Sequence, residues 1–503
     1  MKNRKTFAII SHPDAGKTTM TEHLLLMGGA IHMAGFVKAK KNKKFTTSDW
    51  MELEKQRGIS VSTSVMNFEY QGILCNLLDT PGHQDFSEDT LRTLSAVDSA
   101  IMLLDAAKGV EAQTLRLFEV CKSQKIPIFT FINKMDRDAL PLLDLMDNIE
   151  KNLGLKTYPM VWPCGSGPYF KGVYHRENQH FTPFQNRIME ANEEQDLKDD
   201  LEMLDLAGES FSLEEYRAGN LTPVFFGSAA YDFGLDLFLE TFLKLAPSPG
   251  PKDSSLGLIQ PESPDFSGFV FKIQANMDPK HRDRLAFFRV VSGVYNPGMM
   301  VYHSRLKKEI KLAPPQQFFA QEKVQLPSAY PGDIVGIYDP GHFAIGDTLS
   351  SHSQLKFKGI PFFAPEYFAT LKIESALKRK QMMKGIQELS QEGTIQWFQS
   401  LERSEPILAA VGKLQFDVLL FRLEHEYGVK CQLENLPFEM ARWIDPEQIE
   451  APIEDILSLK DHPGATLATD ASRNNLILFK NDFYFQYFKR HFPEIPLHLQ
   501  SMG

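Results

Sequence analysis

The feature that most constrains this chain is the segment 11–18, which reads Ser-His-Pro-Asp-Ala-Gly-Lys-Thr. The apolar run at 6–10 before it predicts a buried parallel strand, and the residues after Thr18 predict the first turns of a helix. The phosphate-binding P-loop consists of a strand, a loop of small residues that ends in Gly-Lys-Thr, and a helix. The one departure is Ser11, which stands where the pattern has glycine.

The P-loop predicts how the segment holds a nucleotide. Its backbone N–H groups and the positive end of the helix dipole favour an anion. Lys17 can reach the β- and γ-phosphates, and the Thr18 hydroxyl can hold Mg²⁺. The predicted phosphate-binding residues are Ser11, His12, Pro13, Asp14, Ala15, Gly16, Lys17 and Thr18.

A second nucleotide-binding motif follows a predicted strand at 73–78 and reads Asp79-Thr80-Pro81-Gly82-His83. An aspartate at the carboxyl end of a buried strand, facing a P-loop, is placed to hold Mg²⁺ through water. The N–H group of Gly82 is placed to sense the γ-phosphate. All five residues are therefore predicted to contact the nucleotide.

The polar segment at 50–60 is where a nucleotide-sensing switch is expected, because it lies close to the P-loop in sequence. Either Ser60 or Thr63 can offer a hydroxyl to Mg²⁺. The predicted metal ligands are Thr18, Ser60 and Asp79.

The tetrapeptide Asn133-Lys134-Met135-Asp136 predicts which nucleotide base the site binds. It stands at the end of a predicted strand at 126–132. A carboxylate there accepts two hydrogen bonds from guanine, at N1–H and the 2-amino group, whereas adenine offers no such pair. Ser228 and Ala229 are expected to close over the base. The motif therefore predicts a GTP/GDP site.

The chain has 503 residues, which is too long for one core. We predict an α/β P-loop GTPase domain at 1–250, with an insertion around 140–222 whose role stays open. The Pro-rich segment 246–251 ends this domain. Short strands between Gly and Pro turns predict a small β-barrel at 262–355. The β-α-β-β-α-β order at 360–503 predicts an α+β domain of the split βαβ type.

Charge and composition exclude several classes of protein. The net charge of −10 argues against a protein that coats nucleic acid. The lysine-rich stretch at 38–44 can be a solvated loop or a local RNA contact, and both interpretations stay open. Four scattered cysteines predict neither disulfides nor zinc, which fits a reducing cytosol. Neither a signal peptide nor a membrane-spanning run is expected, so we predict a cytoplasmic protein without membrane contact.

Taken together, the motifs resemble those of the translational GTPases. The resemblance covers 11–18, 56–60, 79–83 and 133–136, and it extends into the barrel at 289–293 and 331–334. It implies a Mg²⁺-dependent GTPase that acts as a monomer on the ribosome, in contact with its rRNA and proteins. Ser60 departs from the threonine that most relatives carry, so its role as a direct Mg²⁺ ligand is in doubt.

The segments 11–18, 48–52 and 271–281 are similar to the branch of this family that acts in translation termination. That likeness implies an enzyme that works after peptide release and drives codon-reading release factors off the ribosome. It also implies that His83 positions the attacking water, while Lys17 neutralises charge during phosphoryl transfer. No arginine finger is identifiable within the chain, since Arg57 can equally be a structural residue of the switch, so hydrolysis is expected to be slow until a partner orders the site.

Two rival functions stay open. One is a ribosomal translocase of the elongation factor G kind, and the other is a GTP-binding switch module with little hydrolysis. The sequence stops at Gly503, about one domain after the barrel, so we expect no arm that could move tRNA.

Overall fold

The computed structural model describes residues 3–31, 61–207, 210–275, 284–319, 322–358, 360, 363–400, 405–444, 464–493 and 495–499. Several sequence predictions lie outside these ranges. They concern the lysine-rich stretch at 38–44, the segment 48–52, the switch at 50–60 with its motif at 56–60 (including Arg57 and Ser60), and residues 276–281 of the segment 271–281.

The first unit is an α/β domain. Its described strands are β1 (Arg4–Ser11), β2 (Ser64–Tyr70), β3 (Ile73–Asp79), β4 (Ser99–Asp105), β5 (Ile128–Asn133), β6 (Lys156–Pro159), β7 (Val161–Cys164), β8 (Gly172–His175), β9 (His180–Pro183) and β10 (Leu221–Phe226). Its described helices are α1 (Lys17–Met27), α2 (Ser87–Ser95), α3 (Ala112–Ser123), α4 (Leu142–Leu153), α5 (Ala191–Ala207), α6 (Leu213–Ala218) and α7 (Leu235–Leu245).

Seven of these described strands form one sheet in the order β2-β3-β1-β4-β5-β10-β6. Every pairing in it is parallel except that of β2 with β3. Strand β4 is buried along its whole length, as expected for a parallel strand covered by helices on both faces. Phe129 packs edge-on against Phe242 of α7, with ring centroids 5.1 Å apart, in the core beneath the sheet. The parallel order brings the carboxyl ends of β1, β3, β4, β5 and β10 to one edge.

The predicted insertion divides into two parts. Strand β6, which follows helix α4, joins the main sheet beside β10, while β7, β8 and β9 form a separate antiparallel sheet. The sequence at 169–174 predicts a strand, but the strand occupies Gly172–His175 and a 3₁₀ turn precedes it. The helical pattern at 190–215 forms α5 and α6 rather than one helix. The Ser212 hydroxyl caps α6 by accepting from the N–H of Glu215 at 3.2 Å.

The second unit is the predicted barrel, preceded by the hairpin β11 (Lys252–Ser254) and β12 (Gly257–Ile259). Its described strands are β13 (Ser267–Ala275), β14 (Arg284–Ser292), β15 (Met300–His303), β16 (Lys308–Lys311), β17 (Gln316–Phe319), β18 (Glu322–Gln325), β19 (Ile334–Tyr338) and β20 (Thr348–Ser350). They pair antiparallel in the order β16-β15-β20-β13-β14-β19-β17-β18.

The third unit confirms the predicted α+β class. Its described strands are β21 (Tyr367–Ile373), β22 (Gln396–Ser400), β23 (Ile407–Ala410), β24 (Cys431–Asn435), β25 (Met440–Ile444), β26 (Ala465–Thr469), β27 (Asn475–Phe479) and β28 (Leu497–His498). Its described helices are α8 (Arg379–Gln391), α9 (Lys413–Tyr427) and α10 (Asp482–His491). The order β24-β21-β23-β22 is that of the split βαβ arrangement, and β26 extends the sheet beyond β22.

Buried ion pairs join the barrel to the first unit. Arg289, 1% exposed, contacts Asp98 at 2.6 Å, and Arg4 contacts Asp333 at 2.7 Å. Removing one partner of such a pair leaves an unpaired buried charge, which costs about 3–5 kcal/mol. These two pairs therefore favour this placement of the barrel against the sheet that carries the P-loop over one that leaves the charges unpaired. None of the helices in the described part of the chain combines the length and apolar composition needed to cross a membrane.

Candidate functional site

The P-loop lies at the carboxyl edge of the main sheet. Strand β1 ends at Ser11, which pairs with Leu103 of β4. The chain then turns through two residues with left-handed backbone, Asp14 with φ 66° and Gly16 with φ 101°, before α1 begins at Lys17. Successive N–H groups in such a turn form a concave site for an anion. The Ser11 hydroxyl is buried and has no hydrogen-bond partner among the described residues.

Glycine is required at position 16 for two reasons. Its φ lies in the left-handed region, and an added Cβ would lie 2.3 Å from Asn133 Nδ2.

We expect Gly16→Ala to raise the Kd for GDP by about tenfold or more, because a left-handed non-glycine residue alone costs about 1–2 kcal/mol. Fluorescence titration with a labelled GDP measures this. Gly29→Ala is the matched control, since Gly29 has φ 67° but open space around its Cβ position. Equal Kd values for the two variants would contradict this prediction.

Lys17 and Asp79 meet at the centre of the site. Their Nζ and Oδ1 atoms are 2.5 Å apart, and both side chains are buried. Thr80, next to Asp79, donates its hydroxyl proton to the carbonyl oxygen of Ile9 at 2.7 Å, which ties the second motif to β1. The Thr18 hydroxyl and the Asp79 carboxylate are oxygen donors of the kind that Mg²⁺ prefers, so this part of the predicted ligand set fits the ion.

The other predicted hydroxyl ligands differ in their surroundings. Thr63 is buried, and its hydroxyl lies 2.8 Å from that of Thr93 on α2. This contact engages the Thr63 hydroxyl with α2. Ser60 therefore stays the proposed hydroxyl ligand of Mg²⁺ from this segment, and it lies outside the described residues.

The second motif packs directly on the P-loop. A Cβ added at Gly82 would lie 3.6 Å from the backbone of Pro13, so a side chain at this position would contact the P-loop. His83 follows with 31% of its side chain exposed. Its Nδ1 atom lies 3.2 Å from the backbone N of Asp85 and 3.3 Å from Asp85 Oδ1.

Asn133 joins three of the predicted motifs. Its Nδ2 donates to the carbonyl oxygen of Ala15 at 2.8 Å, and its Oδ1 accepts from the N–H of Ala229 at 2.8 Å. One buried amide thus connects the P-loop, the tetrapeptide 133–136 and the Ser228-Ala229 segment. Because both ends of the amide are engaged, its orientation is defined.

Asp136 and Ser228 come together although 92 residues separate them. The Ser228 hydroxyl donates to Asp136 Oδ1 at 2.5 Å, and the Asp136 side chain is 13% exposed. The N–H of Met135 donates to the carbonyl oxygen of Gly227 at 3.1 Å, which holds the two loops together. The carboxylate is therefore oriented by its neighbour and still reachable by a ligand.

Family comparisons agree with this geometry. Residues 2–248 match the model described as "Elongation factor Tu GTP binding domain", and residues 265–352 match "Elongation factor G domain 2". Residues 357–489 match "Class II release factor RF3, C-terminal domain". The curated protein "Peptide chain release factor 3" of Symbiobacterium thermophilum is 50% identical over 97% of this chain and 96% of its own. The chain belongs to the peptide chain release factor 3 family.

Further relatives and a solved structure agree with this membership. The Microcystis aeruginosa protein of the same name is 48% identical over 99% of this chain and 95% of its own. A crystal structure of a Thermus thermophilus protein covers 93% of this chain and 72% of its own, with 21% identity and a TM-score of 0.72, which shows a shared fold. As a member of the release factor 3 family, the chain is a GTP-binding GTPase of translation termination.

Two polar pairs beside the predicted site residues were missed by sequence reasoning. Lys134 Nζ donates to Asp105 Oδ2 at 2.6 Å. Burial raises the pKa of Asp105, but the bonds from Lys134 and the N–H of Ala107 outweigh it and place that pKa below its usual range. His12 Nε2 lies 3.0 Å from Glu111 Oε2, and burial lowers the pKa of His12. The position of Asp105 at the end of β4, at the same edge as the motifs, was the available signal.

Proposed function

We propose that the chain binds GTP and Mg²⁺ at the carboxyl edge of its first sheet and hydrolyses GTP when the ribosome orders the site. It then promotes the departure of codon-reading release factors after peptide release. The observation that carries the nucleotide part is the Asn133 amide, which joins the P-loop at Ala15 to the base-closing segment at Ala229.

The roles follow from the chemistry of each group. The Asp136 carboxylate accepts from N1–H and the 2-amino group of guanine. The backbone of 11–16 and the Lys17 ammonium bind the phosphates. Thr18, Asp79 and Ser60 would hold Mg²⁺, and its charge would assist phosphoryl transfer. Gly82 senses the γ-phosphate next to Thr80 and Pro81, and Ser228 and Ala229 close over the base.

His83 is proposed to position the attacking water. Its ring lies against Asp85, with Nδ1 near both the N–H and one carboxylate oxygen of that residue. Asp85 engages Nδ1 of the ring, so Nε2 is the nitrogen left to act on a water, and a partner that stabilises the productive orientation accelerates the reaction. This supports slow hydrolysis by the free protein and faster hydrolysis on the ribosome.

The termination role is supported by the third unit. Over 357–489 it matches the C-terminal domain of class II release factors, whereas the likeness to elongation factor G is to that protein's domain 2 and covers 265–352. That difference favours release-factor dissociation over translocation. We further propose that the protein acts in the cytoplasm as a monomer, in contact with ribosomal RNA and ribosomal proteins.

The test uses ribosomes that have already released their peptide and hold a labelled codon-reading release factor. With GTP, the protein is expected to speed departure of the labelled factor during a chase with unlabelled factor. On pre-translocation ribosomes, a toeprint is expected to show no movement of tRNA and mRNA. A codon-length toeprint shift without faster departure would favour the translocase. Faster departure without GTP turnover would favour the non-hydrolysing switch.

A further inference from the structure

Helix α10 of the third unit carries aromatic side chains on two sides. In the sequence, the aromatic stripe at 482–492 favours core packing over a surface on which nucleobases stack. The structure confirms core packing for one side, where Phe488 is 1% exposed and its ring centroid lies 5.5 Å from that of Phe479 in β27. The other side differs, because Phe483 is 69% exposed and Tyr487 is 39% exposed. Two aromatic rings of this helix therefore lie at the surface.

The exposed rings belong to a row along the helix, formed by Phe483, Tyr487 and His491. Residues four positions apart in a helix share a face. The rings of Phe483 and Tyr487 have centroids 6.4 Å apart and planes at 24°, and those of Tyr487 and His491 have centroids 4.0 Å apart and planes at 30°. Single exposed apolar side chains need no explanation, whereas adjoining ones mark a surface for a ligand or a partner. The aromatic row is therefore a candidate contact surface.

The charge of the same segment indicates what kind of partner fits. Arg490 is exposed and follows Tyr487 by three positions, so it lies on the face of the aromatic row. Over 480–491 the chain has three lysine or arginine side chains and one carboxylate, namely Lys480, Lys489, Arg490 and Asp482. The whole chain has a net charge of −10, so this segment is opposite in sign to the protein that carries it. It therefore favours an anionic partner.

Exposed rings beside an arginine have the chemistry that binds unpaired nucleotides. A nucleobase of any sequence has a π-face that stacks on an aromatic side chain, and this face is accessible when the base is unpaired. A guanidinium group binds a phosphate through two parallel hydrogen bonds. Among the components of a ribosome, RNA is the one that combines a negative backbone with bases that can stack.

We propose that the aromatic row and Arg490 form a contact surface for unpaired nucleotides of ribosomal RNA. Phe483 and Tyr487 stack with exposed bases, and Arg490 binds a neighbouring phosphate. The inference rests on the proposed function, because it names the surface and the ligand class through which the third unit engages the ribosome.

This surface can be altered without a change in the nucleotide site. The first turn of α10 is capped within the third unit, where Asn481 Oδ1 accepts from the N–H of Tyr484 at 3.3 Å. The buried side of the helix packs on β27 of the same unit. Because Phe483 and Tyr487 are exposed, their replacement opens no large cavity and should leave the fold and the Kd for GDP unchanged.

The first experiment measures the Kd of the full-length protein for purified ribosomes, with a non-hydrolysable GTP analogue present. Combining Phe483→Ala with Tyr487→Ala is expected to raise this Kd by about fivefold or more, because stacking on each base contributes at least that much to affinity. Tyr487→Phe keeps the ring and should leave the Kd unchanged. An unchanged Kd for the double alanine variant would overturn the inference.

Two further variants of Phe483 distinguish base stacking from a hydrophobic contact with a protein. Phe483→Trp keeps a stacking face and should retain the affinity for ribosomes. Phe483→Leu keeps apolar area but has no π-face, so it should lose about as much affinity as Phe483→Ala. Retained affinity in Phe483→Leu would indicate a hydrophobic protein contact and overturn the RNA assignment.

The salt dependence of ribosome binding tests Arg490. Arg490→Ala should weaken binding and lower the slope of log Kd against log salt concentration by about one, because one phosphate contact is lost. Lys489→Ala is the matched control, since it removes the same charge from the side of α10 where Lys489 lies 5.7 Å from the Phe485 ring centroid. It should leave the slope unchanged. Equal slopes for the two variants would contradict a phosphate contact at Arg490.

A photoreactive azidophenylalanine at position 483 identifies the partner directly. On ribosomes it is expected to crosslink to ribosomal RNA. A crosslink to a ribosomal protein or to a codon-reading release factor, or no crosslink on ribosomes that hold the protein, overturns the inference. If the unmodified protein does not bind ribosomes at all, the proposed function itself fails. If it binds them and the double alanine variant binds equally well, only the inference fails.

Discussion

Replacement of Asp136 by asparagine is expected to weaken GTP binding by about 10⁴–10⁵-fold, the discrimination typical of a site built around a hydrogen-bonded group. The carboxylate accepts two hydrogen bonds from guanine, whereas an amide presents one acceptor and one donor group. Xanthine carries a 2-oxo group that accepts from the amide, so binding of xanthosine triphosphate should improve. Competitive titration with GTP, ATP and xanthosine triphosphate measures the change.

The structure indicates that this substitution changes recognition and leaves the fold intact. Asp136 Oδ1 accepts from the Ser228 hydroxyl, and the asparagine oxygen can accept the same bond. Asp138→Asn is the matched control, because Asp138 is exposed two residues further along the chain. It should leave all three affinities unchanged. Equal affinity of the unmodified protein for GTP and ATP would contradict the assigned role of Asp136.

Much of the fold could be predicted because long, periodic elements are bounded by clear local signals. The sequence at 142–153 predicts a helix, and α4 (Leu142–Leu153) has these bounds, with Pro141 before it and Gly154 after it. The sequence at 64–70 predicts a strand, and β2 (Ser64–Tyr70) has these bounds because the Gln71-Gly72 turn ends it. In such segments local propensity and tertiary packing favour the same structure.

The elements that were missed are short and polar. Strand β16 has four residues, Lys-Glu-Ile-Lys, with three of them exposed, and β20 has three residues. Their extended structure depends on pairing with β15, a neighbour that a local pattern does not specify. Strand propensity reflects such context more than intrinsic preference.

The candidate site was more predictable than the contacts around it. The P-loop starts at the end of a buried strand, and Asp79 and Asn133 are the last residues of two others. Parallel strands bring these carboxyl ends to one edge of the sheet. The bond between Asp85 and the N–H of Leu414 joins residues 329 positions apart. Nothing local to Gly412 indicates that its missing side chain makes room for a carboxylate of another domain. Contacts of this kind depend on how the domains pack against each other, and the hydrophobic periodicity of a sequence does not predict that packing.

Replacement of His83 by alanine is expected to reduce ribosome-stimulated GTP turnover by about 10²–10⁴-fold, the contribution typical of a positioned side chain in proton transfer. GTP affinity should stay within a few-fold, because the phosphates and the base are bound by other residues. Lys17→Ala should instead lose nucleotide affinity, since Lys17 carries the charge that the phosphates require. Single-turnover hydrolysis on ribosomes, beside equilibrium titration of GTP, separates the two effects.

The control for His83 is its exposed neighbour Gln84, whose replacement by alanine should leave both turnover and affinity unchanged. The side chain of His83 is one-third exposed, so its removal creates no large cavity and should not unfold the domain. A loss of turnover with retained affinity would then report on the chemical step alone. Normal turnover by His83→Ala on ribosomes would show that another group positions the water. If the unmodified protein shows no turnover there, the nucleotide acts only as a conformational switch.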